Sequence, residues 1–140
     1  MYRALESFIN YCDDMIIANE SMKDDLSAII DKHMPILDKG SEILKTDERI
    51  TAQIKGHKLM KEFHEKCLRD FANLNPTGVR DTKAKEKRIN AANHEIKTLN
   101  ETLDWLGQAK ALGVKDMDDL HKNYIIYEDP STKKAKVKRK

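Results

Sequence analysis

The chain has 140 residues, which is within the size range of one ordinary domain. Charged residues make up 36% of it and hydrophobic residues 39%, with three Phe, one Trp and four Tyr, so a thick globular core is not expected. This composition favours long amphipathic helices, which need only a narrow apolar stripe. No window approaches the roughly 18 apolar residues of a membrane-spanning helix, and we expect no membrane partner.

Charge is distributed unevenly along the chain. All 24 acidic residues lie before Pro130, whereas six of the 26 basic residues lie after it. Cys12 and Cys67 fall on apolar stripes, and two buried thiols favour a reducing compartment over a disulfide framework. The first residues lack the apolar segment and cleavage site of a secretory signal. The expected location is therefore the cytosol or the nucleus.

The first predicted helix covers about residues 2–34 and carries a 3.5-residue apolar repeat, the pattern of a helix packed lengthwise on another helix. Its two repeat positions hold Leu5, Cys12, Asn19, Leu26 and His33, and Phe8, Met15, Met22, Ile29 and Ile36. Pro35 removes a backbone donor, and Gly40 follows with Ser41 as a candidate N-cap. We expect a turn from Pro35 to Gly40. Because the repeat continues to Ile43, a kinked continuous helix is the alternative.

Three further helices are predicted. The second covers residues 41–74, and the segment NLNPTGVRDT ends it, since Asn, Pro, Gly and Asp favour turns. The third covers residues 82–112, and Gly113 has the position of a helix-stopping glycine. A short fourth helix covers residues 116–123, with Asp116 as its N-cap. The apolar positions of the third helix are Ile89, Ala92, Ile96, Leu99, Leu103 and Leu106.

Three helices of similar length joined by short turns predict an elongated all-α protein, either a three-helix antiparallel bundle or a coiled coil, over residues 1–129. Residues 130–140 are predicted to form a disordered basic tail. The only strand-like run is Tyr124 to Tyr127. We expect it to fold back over Trp105, Leu112 and Val114 at the end of the bundle. Addition of this run to a partner's sheet is the alternative.

The sequence gives no support for catalysis. A Gly-rich phosphate loop, a metalloprotease helix and a nucleophile elbow are all missing, so no enzyme, cofactor or metal site is expected. His33 and His57 lie on apolar stripes, where hydrogen-bonded interface histidines are expected. His64 and Cys67 lie three residues apart but lack a second ligand pair, so a packed Cys67 beside an exposed His64 is expected.

A partner helix, or a second copy of the chain in a coiled coil, is expected to contact the repeat positions of the first and third helices. These candidate residues are Phe8, Met15, Asn19, Met22, Ile29, Ile96, Leu99 and Leu103. Asn19 either fixes the register of that pairing or occupies a tolerated position at its fringe. Flexible methionines such as Met15 and Met22 suit adaptable helix recognition.

Two basic segments are candidate contact sites. The segment DTKAKEKR contains Lys83, Lys85, Lys87 and Arg88 near the start of the third helix, where cations oppose the helix dipole. A solvated helix end is favoured there over phosphate contact. The tail cations are Lys133, Lys134, Lys136, Lys138, Arg139 and Lys140. We rank three interpretations of these cations: a nuclear import signal first, weak contact with DNA or RNA phosphates second, and a segment that only increases solubility third.

The helical segment ending near LDWLGQAKALG and the later IIYEDP run form a pattern that resembles a known helical arm. That arm belongs to the SUMO ligase subunit that docks along a coiled coil in a structural-maintenance-of-chromosomes complex. The resemblance covers the helix pattern and implies a chromosome-associated arm. The cysteines and histidine of a RING do not follow Pro130, so it does not imply ligase activity.

The sequence favours a non-enzymatic nuclear adaptor or scaffold subunit that binds partner helices in a larger assembly, with chromatin as one setting. The second candidate is a nucleic-acid-binding accessory module that uses the basic tail and residues 81–88. The third is the RING-less helical arm of the resemblance above. An import receptor is the expected partner of the tail in the first of these.

Overall fold

The computed structural model describes residues 20–140, with side chains described from Met22 onward. Its elements are α1 (Glu20–Thr46), α2 (Ile50–Ala72), α3 (Val79–Ala111), α4 (Met117–Asn123), β1 (Tyr124–Glu128) and β2 (Ala135–Arg139). The mainly α-helical prediction is confirmed for the described part of the chain. The two-stranded sheet at its C-terminal end is a departure from the all-α prediction.

Helix α1 continues through Pro35 to Thr46, so the predicted turn after Pro35 is wrong and the helix is continuous. A proline inside a helix removes one hydrogen bond and costs about 3 kcal/mol. Ile30 and Leu37, on either side of it, are both buried in the core that α1 shares with α2. This packing outweighs the local penalty, and α2 consequently begins at Ile50.

The chain reverses direction at Asp47, Glu48 and Arg49. The Asp47 carboxylate accepts hydrogen bonds from the backbone N–H of Arg49 and, at 2.6 Å, from its guanidinium. The guanidinium bond is the main cause that lowers the pKa of Asp47 to about 2. Gln53 of α2 donates its amide to the carbonyl oxygen of Asp47 at 2.7 Å, which fixes the turn to the helix that follows.

Two glycines allow α1 and α2 to pack backbone to backbone. A Cβ added at Gly40 would lie 2.9 Å from the carbonyl oxygen of Gly56, and one added at Gly56 would lie 2.6 Å from Cδ2 of Leu44. Real Cβ atoms almost never approach other atoms this closely. Gly40 therefore marks the contact between the helices and not the end of a turn.

Helix α2 packs against α1 on one side and against α3 on the other, and consecutive long helices run antiparallel. One core cluster follows most of the length of the three helices: Met22, Leu26, Ile30, Leu37, Leu44, Met60, Phe63, Cys67, Phe71, Ala84 and Leu99. A second cluster lies at the C-terminal end of α3: Ile50, Leu106, Ala109, Val114, Leu120, Tyr124 and Val137.

The buried face of α3 differs from the predicted apolar stripe. Asp81, Arg88 and Glu95 are buried at seven-residue intervals, and each has an interaction partner. Ile96 and Leu103, which the periodicity assigns to the stripe, are only half-buried. Half of the predicted stripe is nevertheless confirmed, since its buried members are Ala92, Leu99 and Leu106. The buried face of α3 therefore includes part of the stripe and extends from it to the side of the helix that carries Arg88.

The predicted end of α3 and start of α4 are confirmed in their local geometry. Gly113 has a φ of 85°, and Val114 N–H donates to the carbonyl oxygen of Ala109, as in a Schellman motif. Asp116 accepts a hydrogen bond from Asp119 N–H at 2.8 Å, and the Asp119 carboxylate accepts one from Lys115 N–H at 3.0 Å. Reciprocal bonds of this kind start a helix efficiently.

The C-terminal residues do not form the predicted disordered tail. β2 (Ala135–Arg139) pairs antiparallel with β1 in the register Tyr124 with Arg139 through Glu128 with Ala135. In the sequence AKVKR, small or apolar residues alternate with cations, and this period of two suits a strand with one buried face. Val137 is accordingly buried and Lys138 is exposed. The boundary predicted at residue 130 falls within the turn between the strands.

Candidate functional site

The candidate site is the β-hairpin of residues 124–140, which lies against the C-terminal end of α3. Tyr124 of β1 and Val137 of β2 anchor it, since both are buried in the second core cluster with Leu106 and Val114. The expected folding back of the strand-like run is confirmed for its contacts with this cluster, whereas Leu112 remains 49% exposed. The anchors give the hairpin one buried and one exposed face.

Gln108 of α3 closes the outer edge of β2. Its side-chain Nε2 donates to the carbonyl oxygen of Ala135, and its Oε1 accepts from the N–H of Val137, both at 3.0 Å. The amide thereby makes the pair of bonds that a neighbouring strand would make. Periodicity did not single out Gln108, because its partners lie 27 and 29 residues away along the chain.

The hydrogen-bond register determines which backbone groups of β1 point away from β2. Lys140 N–H donates to the carbonyl oxygen of Asn123 at 2.8 Å. Bonded and non-bonded pairs alternate in antiparallel sheets. Ile125 and Tyr127 therefore carry the bonds to β2, and the residues between them direct their N–H and C=O groups to the outer edge.

Among residues 22–140, no strand or side chain covers this outer edge of β1. Tyr124 N–H donates to the carbonyl oxygen of Leu120 at the end of α4. For the outward N–H and C=O groups of Ile126 and Glu128, no hydrogen bond is found within the described residues. The two edges of the hairpin therefore differ: a side chain of the protein covers one, and the other remains available.

The exposed parts of β1 are apolar and lie beside cations. Ile125, Ile126 and Tyr127 are 38%, 44% and 40% exposed. On the solvent face, Lys138 is directly opposite Ile125 and Lys136 is opposite Tyr127. The Lys138 ammonium also lies 4.9 Å from the centroid of the Tyr127 ring, a cation–π distance. This face thus has an apolar row on one strand and a basic row on the other.

A cleft of about 720 Å³ separates the tip of the hairpin from α3. Its helix wall contains the carboxylates of Glu101 and Asp104, and Lys133 and Lys134 lie at the turn side. Its hairpin wall contains Ile126, Tyr127 and Glu128. Because strand residues alternate between faces, Ile126 and Glu128 share the face of β1 that is opposite to the face of Ile125 and Tyr127.

The structure gathers the predicted tail cations on this hairpin. Lys136 is half-buried, and the other five are exposed. The guanidinium of Arg139 lies 5.8 Å from the Tyr124 ring centroid, and Lys140 Nζ donates to the carbonyl oxygen of His121 at 3.2 Å. The fold therefore positions the side chains of Arg139 and Lys140, as it does that of Lys138 beside Tyr127.

The second predicted basic patch is not one surface. Arg88 is 0% exposed, so it cannot contact phosphate together with Lys83 and Lys87, which are exposed. Lys85 is half-buried and donates its Nζ to the carbonyl oxygen of Leu74 at 2.8 Å, which ties the start of α3 to the end of α2. Helical periodicity separates these neighbours in sequence onto different faces.

The predicted partner-helix residues occupy several environments. Met22 and Leu99 are buried in the first core cluster, and Ile29 packs against it. Ile96 and Leu103 of α3 are half-buried. The remaining three residues, Phe8, Met15 and Asn19, lie outside the described part of the chain. Contact of these residues with a partner helix stays a prediction.

The prediction that His33 and His57 are hydrogen-bonded is confirmed. His33 lies 2.7 Å from an Asp70 carboxylate oxygen, and this bond is the main cause that lowers the pKa of Asp70. His57 Nδ1 lies 2.7 Å from the carbonyl oxygen of Gln53. The expectation of an exposed His64 is wrong, because it is 1% exposed between the helices.

Burial also determines the chemistry of His64 and Cys67. It lowers the pKa of His64 to about 4 and raises the pKa of the Cys67 thiol to about 12. His64 is therefore neutral at pH 7, and Cys67 is a protonated, buried thiol of low reactivity. No group of three or more potential metal ligands is found among residues 20–140.

Comparison with known proteins gives no relatives. No family model matches the chain, and neither the curated proteins nor the solved structures contain a match. The likeness to the helical arm of the SUMO ligase subunit consequently stays a prediction. Within the described residues, no helix is long and apolar enough to cross a membrane.

Proposed function

We propose that this protein is an adaptor that binds a partner protein through the exposed surface of its C-terminal hairpin, which consists of residues 124–140. The observation that carries the proposal is the difference between the two hairpin edges. Gln108 covers the edge of β2. The edge of β1 is open within the described part of the chain and is flanked by the exposed side chains of Ile125, Ile126 and Tyr127.

Proteins usually protect such an edge. An unpaired strand with exposed apolar side chains favours unwanted pairing between chains, and edge strands commonly carry charges, prolines or a covering element. The open edge of β1 instead contains three consecutive large apolar residues. Apolar surface rimmed by charges is typical of protein interaction sites. The cations of β2 supply that rim.

The proposal keeps the adaptor hypothesis but changes the contact surface. Binding of partner helices through Ile29, Ile96 and Leu103 remains a further prediction, as does location in the nucleus. An import receptor that holds its signal as an extended peptide would require β2 to leave both β1 and Gln108. We therefore assign the hairpin cations to partner binding first and to import second.

A capture experiment tests the proposal. The tagged full chain is incubated with nuclease-treated extract of the cells that produce it, and the bound proteins are identified by mass spectrometry. We expect a stoichiometric partner that is lost when Ile125→Glu and Tyr127→Glu are combined. The control is Val79→Glu, which changes an apolar residue that is 72% exposed at the other end of α3. Equal capture by all three chains would reject the hairpin as the binding surface.

Nucleic-acid binding is the second candidate, because the hairpin gathers six cations, five of which are exposed. Binding of this kind would weaken steeply as salt increases, since each phosphate contact releases counterions. A titration of DNA and RNA at several salt concentrations separates the two candidates. A linear fall of log affinity with log salt, combined with loss of binding in the Lys136→Gln and Lys138→Gln variant, would favour nucleic acid.

A further inference from the structure

We propose that the open edge of β1 binds an extended peptide segment of the partner in which acidic and apolar residues alternate. The peptide adds a third strand to the hairpin. This inference rests on the proposed adaptor function and names the chemistry of the partner segment. It follows from the backbone groups at the edge, the charge of one hairpin face and the cleft beneath the other.

The backbone of β1 supplies the pairing groups. Ile126 and Glu128 direct N–H and C=O groups to the open edge, whereas the N–H of Tyr124 is already bonded to Leu120. The available edge thus begins at the carbonyl of Tyr124 and extends to Glu128. An added strand of about five residues would satisfy these groups through main-chain bonds, which bind any sequence with similar strength.

The solvent face provides the preference for acidic residues. On this face, side chains of the added strand lie next to Ile125 and Tyr127 of β1. Lys136 and Lys138 of β2 lie on the far side of β1, two strand spacings from the added strand. Two strand spacings amount to roughly 10 Å, which a lysine side chain and a glutamate side chain bridge together. Carboxylates at alternate peptide positions therefore meet the basic row. Within residues 124–140, six cations oppose only Glu128 and Asp129.

The opposite face provides the preference for apolar residues. A peptide side chain next to Ile126 is directed to the cleft of about 720 Å³ between the hairpin and α3. Ile126 is 44% exposed and offers an apolar contact there. Three carboxylates line the cleft, those of Glu101, Asp104 and Glu128, against two ammonium groups at the turn, so an apolar side chain is favoured there over an acidic one. The two faces together select the alternating acidic–apolar pattern.

A second copy of the chain fits this edge less well. Pairing of two β1 strands would place two apolar rows side by side but would supply no carboxylates to the basic row on the solvent face. A partner with acidic residues satisfies both rows. Self-association is therefore an outcome that the test must detect.

The test uses the full chain and a capped eight-residue peptide that alternates Glu with Val, labelled for fluorescence anisotropy. Three peptide controls separate the contributions. The first control alternates Lys with Val, and the second has its Glu residues grouped at one end. The third carries N-methyl groups on alternate backbone amides, so that one edge of the extended peptide can no longer donate hydrogen bonds. We expect binding of the first peptide and at least a tenfold loss for each control. The N-methyl peptide tests strand addition because it retains all side chains.

Variants of the chain provide the matching tests. Ile126→Pro removes an outward N–H that makes no bond to β2, so the hairpin can form while the main-chain pairing is lost. Glu128→Pro does the same at the second position. We expect at least a tenfold loss of affinity in each. Circular dichroism and thermal unfolding confirm that the fold is retained, and either variant is sufficient if the other unfolds.

The charge requirement has its own matched pair of variants. Lys136→Gln combined with Lys138→Gln should lower the affinity for the peptide at least tenfold. The control combines Lys58→Gln with Lys83→Gln, which removes the same charge from exposed positions on α2 and α3. This control should leave the affinity unchanged. Equal losses in the two double variants would show an effect of net charge and would overturn the proposed contact.

Failure of this inference can be distinguished from failure of the adaptor function. Undiminished binding of the N-methyl peptide, or dimerisation of the chain through β1 in sedimentation experiments, overturns strand addition by a peptide. If the captured partner still depends on Ile125 and Tyr127, the adaptor function stands in that case. If capture is independent of them, the adaptor proposal itself fails.

Discussion

Apolar side chains are buried at the interface between α1 and α2, whereas they are exposed on the hairpin at the end of the bundle. At the interface, Gly40 and Gly56 bring two helix backbones into contact, and Phe63 and Phe71 further along α2 are almost completely buried. On the hairpin, apolar residues remain exposed beside an open strand edge. The first region contributes packed, buried surface, and the second is the surface that we propose for partner binding. Substitutions should therefore affect stability in one region and partner affinity in the other.

The largest expected effect is in the helix interface. Phe71→Ala should lower the free energy of unfolding by about 3–5 kcal/mol, because it removes a fully buried aromatic side chain and leaves a cavity. Ile125→Ala on the hairpin should change it by no more than about 0.5 kcal/mol. Urea denaturation followed by circular dichroism measures both. A similar loss in the two variants would abolish the distinction between the regions.

Protonation of His64, which is buried on α2, should lower the free energy of unfolding at acidic pH. Its pKa is lowered from the ordinary value of 6.5 to about 4 by burial, so between these values the unfolded chain binds a proton that the folded chain does not. The free energy of unfolding should therefore fall as the pH decreases from 6.5 to 4, by roughly 3 kcal/mol.

The matched variant for this pH effect is His64→Leu, which replaces the titratable imidazole with an apolar side chain of similar size. Its unfolding free energy should depend less on pH than that of the wild type over the range from 6.5 to 4. Denaturant titrations at half-unit pH steps give the two curves. Parallel curves would mean that His64 is not the group responsible.

The close contact at Gly40 should make an otherwise favourable substitution harmful. Gly40→Ala would place a Cβ 2.9 Å from a backbone oxygen of α2, and separation of the helices should cost about 1–3 kcal/mol. Gly107→Ala is the control, because a Cβ there meets nothing within 4 Å, and helix propensity should stabilise it by about 1 kcal/mol. Thermal unfolding should shift in opposite directions. Stabilisation by both would disprove the backbone contact.

The smallest expected effect is at the join between hairpin and helix. Gln108→Ala removes two hydrogen bonds to β2 and should loosen the hairpin by about 1–2 kcal/mol without unfolding the bundle. Hydrogen exchange of the Val137 amide should become faster. Lys110→Ala, an exposed change on the same helix, should leave that rate unchanged. An unaltered Val137 rate in Gln108→Ala would show that the hairpin is held without this side chain.

The sequence predicted features that depend on residues close together in the chain. Gly113 and Asp116 were assigned correctly because a helix stop and a helix cap each need only a few neighbouring residues. Pro35 was assigned wrongly because its local preference for a turn is outweighed by packing with α2, which lies elsewhere in the sequence. Tertiary contacts of that kind leave no local signal.

The candidate site illustrates the same limit. The run of cations in the tail predicts disorder. The alternation of lysines with Ala135 and Val137 is a strand signal, but it is too short to outweigh that run. Gln108 could not be identified, since its role depends on partners brought near by the fold. The α3 stripe is confirmed at Leu99 and Leu106, but the burial of Arg88 beside it could not be predicted, because Arg88 looks like a surface cation in sequence.

The most direct test of strand addition to β1 is hydrogen–deuterium exchange of the full chain, alone and in complex with the captured partner. We expect protection on binding to concentrate in residues 124–140, with the amides of Ile126 and Glu128 among the most strongly protected. Protection confined to exposed faces of α1 or α3, with exchange in the hairpin unchanged, would contradict it.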